Sequence, residues 1–180
     1  NMGTKRVGLA RMQALIENLK RELAMGDTTL TNVQVQLGQD NLVEASGATK
    51  AITAAETGSV IELHRADGST VTLPANATIG LRYTVVVRTL LTDGAYVINT
   101  GTGNTFSTSS FVIQQDATNS AHHALLRPTD GADVTLTMTE DSTDKVAQFG
   151  TVFEIECVAA GKWRITGNHH IDASGTGVFA

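Results

Sequence analysis

The sequence predicts a mainly β protein: an N-terminal α-helix followed by an antiparallel β-sandwich or barrel of jelly-roll-like form. Three observations lead there. Short runs of alternating apolar and polar residues recur from Ser59 onward, separated by turns containing Gly and Asp. Thr, Gly, Ala and Val are abundant, a balance that favours strands and turns. Only the first segment of the chain carries a helical period.

That first segment, residues 1–26, opens with Thr4 as an N-cap and closes with Gly26 as a C′ stop. Between them Leu9, Met12, Ile16, Leu19 and Leu23 recur in the a/d spacing of a heptad seam, and Leu15 widens the stripe beside it. A helix of about 20 residues is marginal alone in water. The expectation is therefore an oligomerisation or docking helix whose interface residues are Leu9, Met12, Leu15, Ile16, Leu19 and Leu23.

Residues 27–58 read as an extended connector. Within it Thr31 to Leu37 (TNVQVQL) alternates like a strand, and Ala45 to Ser59 (ASGATKAITAAETGS) reads as a linker of small residues. Residues 59–180 read as the antiparallel β domain. Ile61 and Leu63 are expected to oppose Val71 and Leu73 across the turn Ala66-Asp67-Gly68. Leu81, Tyr83, Val85 and Val87 share a face, and Asp93-Gly94 brings Tyr96 and Ile98 back alongside them. Phe111 and Ile113 follow the loop from Gly101 to Phe106. Val134, Leu136 and Met138 alternate with threonines, as a strand with one wet face requires. Phe153, Ile155 and Cys157 point inward, and Ala160-Gly161-Lys162 turns the chain into Trp163 and Ile165.

The totals bound the class. At 180 residues, 41% hydrophobic and 17% charged, the chain supports one cored domain and an appendage. Its net charge of -5 is uneven: residues 1–26 hold Lys5, Arg6, Arg11, Lys20 and Arg21 against Glu17 and Glu22, a sum of 5 - 2 = +3, which leaves -8 for the rest. Basic residues spread around a helix without interleaved aromatics do not make a nucleic-acid site. No run of about 18 apolar residues and no secretory h-region occurs, so no membrane partner is expected. The single Cys157 excludes an internal disulfide, so packing or assembly must supply stability.

Candidate chemistry is sparse. His122-His123 and His169-His170 are the residues that suggest a metal, but neighbouring side chains on a strand face opposite ways, so each pair offers one imidazole to a common point. Asp130 to Asp133 and Asp141 to Asp144 space carboxylates three apart without the alternating ligands of a calcium loop. Gly101-Thr102-Gly103-Asn104 and Ser174-Gly175-Thr176-Gly177 lack the Lys and the strand-to-helix setting of a phosphate loop. Cys157 reads as a buried thiol. The expectation is a non-enzymatic protein with no metal and no cofactor.

Three stretches carry a resemblance. IELHRADGSTVTLPANATIGLRYTVVVRT (Ile61 to Thr89) and GTVFEIECVAAGKWRITG (Gly150 to Gly167) resemble the β domain of head decoration and related virion proteins of tailed bacteriophages. GTKRVGLARMQALIENLKREL (Gly3 to Leu23) is similar to the N-terminal helix of other phage structural proteins. The resemblance implies a homo-oligomer, a trimer, on the outer surface of the capsid, with the major capsid protein as its partner. The alternative is a tail-associated fibre or adaptor, or a host-surface carbohydrate-binding attachment protein.

Overall fold

A computed structural model describes residues 42–116, 120–139, 147–171 and 177–180, together with position 13. The expected helix with its stripe Leu9, Met12, Leu15, Ile16, Leu19 and Leu23, and the strand-like Thr31 to Leu37, lie outside the described residues. The body is mainly β. Its strands are β1 (Leu42–Ala45), β2 (Thr49–Ala51), β3 (Val60–Leu63), β4 (Gly68–Thr72), β5 (Arg82–Val87), β6 (Ala95–Asn99), β7 (Thr105–Phe106), β8 (Phe111–Asp116), β9 (Ala124–Leu126), β10 (Thr135–Thr139), β11 (Val152–Ala159), β12 (Lys162–Ile171) and β13 (Gly177–Phe179).

These strands form two sheets among the described residues. Sheet A runs β1-β3-β5-β11-β12-β8-β9, with β7 also on β12, and sheet B runs β13-β10-β6-β4-β2. The chain alternates between them: β1, β3 and β5 lie parallel in sheet A, while β2, β4 and β6 lie parallel in sheet B. Three turns of a parallel winding result, and antiparallel pairing enters only with β8 to β13.

The antiparallel, jelly-roll-like arrangement is therefore corrected to two mixed sheets. The expected hairpins at Asp67-Gly68 and Asp93-Gly94 are instead crossings from sheet A to sheet B. The reason lies in the alternation itself. Ile61, Leu63 and Val71 point into one core whether the chain folds back within a sheet or arches over to the facing one. Glycine chemistry does not separate the cases either: Gly68 has φ +84 and belongs to β4, where an added Cβ would stand 2.1 Å from the carbonyl oxygen of Ala95. Its missing side chain lets β4 approach β6. The expected hairpin from Phe153 to Ile165 does form, with Ile155 opposite Ile165 and Cys157 opposite Trp163.

The β body also begins earlier than expected. Residues 42–58, read from sequence as the end of a connector, hold β1, β2 and a 3-10 turn at Ala54–Glu56, and both strands pair into the sheets. These strands are only four and three residues long.

The two sheets share one apolar core. Ile61, Val85 and Phe153 lie in one register row of sheet A, and Leu136, Ile98 and Val71 in one row of sheet B, all buried. Two aromatic side chains tie the layers together. Trp163 of sheet A, fully buried, donates its Nε1–H to Thr100 O at 3.1 Å, just beyond β6. Tyr96 of sheet B donates its hydroxyl to Thr89 O at 2.8 Å, just beyond β5. Asn104 pins the loop between β6 and β7: its Nδ2 donates to Pro74 O and Thr100 O, and its Oδ1 accepts from Ala77 N–H.

Candidate interaction surfaces

Each sheet has an outer face, and the two differ in chemistry. On sheet A the cross-strand row Arg82, Glu156, Arg164 forms an ion-pair ladder. Glu156 lies 3.6 Å from Arg82 and also pairs with Arg164. The adjoining row places Glu154 between Thr84 and Thr166. Together these residues line a shallow groove of about 240 Å³ with Tyr83 at its floor. Burial, with smaller contributions from Glu56 and Cys157, pushes the Tyr83 phenol up to about 12, so it stays a neutral donor to Thr53 O at 2.9 Å. Farther along the same face Arg88 pairs with Glu62 at 2.6 Å and Glu44 at 3.8 Å.

Toward β9 the outer face of sheet A turns apolar. Phe111 and Ile113 on β8 are 41% and 42% exposed, and Leu125, opposite Ile113 on β9, is 50% exposed. The inward positions of β8 are Val112, Gln114 and Asp116, all buried. On this strand the largest apolar side chains face outward and two polar ones face in, the reverse of what hydropathy suggests.

Sheet B presents a different surface. Its outward positions form rows such as Val178, Thr137, Val97, Thr70, Thr49 and Thr135, Asn99, Thr72, Ala51. Thr139, Ala95 and Gly68 complete the face. None of these described positions carries a charge, and none is larger than Thr, Val or Asn. The lysine of β2, Lys50, shares the inward column of Val71 and pairs with Glu56 at 3.4 Å.

The remaining candidates resolve individually. His169 and His170 point to opposite sides of β12: His169 is buried and His170 half-buried. His169 Nε2 accepts from the Ala147 N–H at 3.2 Å, which places the ring proton on Nδ1. Burial, with the neighbouring His170, holds its pKa down at about 4. His123 bonds through Nε2 to Asp116 O at 3.1 Å. Asp133 accepts from Thr129 N–H at 2.6 Å and Asp130 from Ala132 N–H at 2.8 Å, so both close their own turn. Asp141 and Asp144 lie outside the described residues. Cys157 is buried, its thiol pKa is pushed up by burial, and Sγ–H donates to Ala159 O at 3.1 Å.

The sequence reading missed both outer faces. A signal existed for sheet B: threonines two apart at 70 and 72 and at 135, 137 and 139. Which strands would lie side by side was not visible. No family model matches the chain, and no curated protein or solved structure matches it.

Proposed function

We propose that the chain is a structural protein of a tailed-phage virion, a head decoration or head-fibre component that binds the major capsid protein as a homo-oligomer, a trimer. The observation that carries this reading is the apolar group Phe111, Ile113 and Leu125 on adjoining strands of sheet A, each between two-fifths and one-half exposed. Contiguous exposed apolar side chains mark a surface that another polypeptide covers. Completing their burial contributes roughly 1 kcal/mol apiece, and contacts this modest suffice on a shell where many copies bind side by side. In this reading the two sheets are the layers of a β-sandwich, residues 1–26 supply a further docking or self-association element, and the work done is adhesion rather than catalysis.

Quantitative mass spectrometry of purified virions, with antibody labelling of the particle, tests it. Tens to hundreds of copies distributed over the head are expected. A handful of copies at the tail shifts the protein to the attachment reading, and absence from the particle overturns both. The attachment reading is favoured by one feature, the polar groove of Arg82, Glu154, Glu156 and Arg164, whose paired donors and acceptors suit sugar hydroxyls.

A further inference from the structure

We propose that copies of this chain meet through the outer face of sheet B, each copy covering that face with the same face of its neighbour around a symmetry axis. The inference rests on the homo-oligomer part of the reading above, supplying a two-fold contact between copies in place of a trimer's, and uses a different surface from the proposed capsid contact.

Three properties of the face select this occupant. First, it is uncharged across all five strands, so covering it desolvates no ion. A partner whose facing surface held guanidinium or carboxylate groups would have to strip them of water without offering them a counter-charge. The outer face of sheet A is such a surface, with Arg82, Glu156 and Arg164 in one row and Glu44 and Glu62 in another. Sheet B's own face carries no such groups.

Second, the face is level. Its side chains are short and mostly β-branched, so few rotamers are lost on burial. The hydroxyls of Thr70, Thr72 and Thr137 donate and accept, so they pair equally well with copies of themselves. Self-complementarity of one patch is what a contact across a two-fold axis requires.

Third, the face is continuous and of the size of a weak, concentration-dependent contact. Three strands of five residues and two of three, about 4.8 Å apart, span about 24 Å by 10 to 17 Å. Two such faces together remove roughly 650 Å² of projected area and more of accessible surface. Val97 sits in the middle of the central strand β6, so an axis through the face passes close to it.

The test measures the mass of the full chain in solution by light scattering, for the natural sequence and for Val97→Lys, Val97→Thr and Thr84→Lys. The natural chain, Val97→Thr and Thr84→Lys are expected at one and the same multiple of 18.9 kDa. Val97→Lys is expected at a single 18.9 kDa with its circular dichroism and melting transition retained. A second measurement stands if Val97→Lys fails to fold: Val97→Cys treated with a short bismaleimide should give covalent dimers, and Thr84→Cys on sheet A should not. A multimer that survives Val97→Lys, with no crosslink at position 97, overturns this proposal and leaves the homo-oligomer reading standing. A natural chain that stays at 18.9 kDa at every concentration overturns both.

Discussion

The outer faces of sheets A and B belong to strands with the same alternation and the same buried core, yet one bears a ladder of Arg and Glu and the other bears Thr, Val, Ala, Gly and Asn. Inward positions answer to the core and are apolar in both sheets: Ile155 and Ile165 in one, Leu136 and Ile98 in the other. Outward positions answer to whatever lies outside. Glu156 between Arg82 and Arg164 is a surface arranged for water, because exposed ion pairs keep most of their hydration. An uncharged face holds no ion for water to hydrate, which suits contact with another surface. The contrast teaches that the outward half of each strand, usually set aside as merely polar, records how that sheet is used.

The largest expected effect tests whether the faces belong to a single unit. Trp163→Ala removes the side chain that reaches from β12 to Thr100 and should cost about 3 to 5 kcal/mol. Chemical denaturation followed by fluorescence of Tyr83 and Tyr96 and by circular dichroism should give one coincident, displaced transition. Two separate transitions would mean that the sheets, and hence their faces, are independent layers.

A smaller effect is expected from His169, which holds the inner side of sheet A near β8. Its pKa is about 4 in the folded chain against an ordinary 6.5, so folding favours the neutral ring. Stability from this group is complete above pH 6.5 and declines as the pH falls toward 4, where the unfolded chain takes up a proton that the native ring refuses. The loss across that window is roughly 3 kcal/mol at most. Urea titrations at successive pH values check it, and His169→Gln should flatten the slope between those limits. An unchanged slope would assign the acid sensitivity to other groups.

The smallest effect belongs to the charged face. Glu156→Gln leaves Arg82 and Arg164 without their carboxylate, but Arg82 is three-quarters exposed and water replaces the pair. The change in stability should stay within about 1 kcal/mol and shrink further in 1 M salt. A loss several times larger would show that this face is covered in the assembled protein, erasing the distinction from sheet B.

Much of the fold was legible residue by residue. The inward set Ile61, Leu63, Val85, Tyr96, Ile98, Phe153, Ile155 and Trp163 follows from period-two alternation and is buried as that pattern requires. The hairpin from β11 to β12 was legible because its strands are long and its turn at Ala160-Gly161 is short. The segment 42–58 was not, since strands of three or four residues are too short for their alternation to stand out from a linker. β8 runs against its hydropathy: Phe111 and Ile113 face outward, and Gln114 and Asp116 face in. The interface expected at Leu9, Met12, Leu15, Ile16, Leu19 and Leu23 lies outside the described residues, while the surfaces argued for here lie on sheets whose strand neighbours are far apart in sequence.

By itself the sequence determined which side chains avoid water, because alternation is a local property of an extended backbone: neighbouring residues point opposite ways whatever the strand pairs with. Only the tertiary structure decided which strands are neighbours. A turn such as Asp67-Gly68 serves a hairpin or a crossing between sheets with equal ease, and the choice is made by long-range pairing, Ile61 with Val85 and Val71 with Ile98. That choice gathered Thr49, Thr70, Val97, Thr137 and Val178, scattered over 130 residues, into one uncharged row.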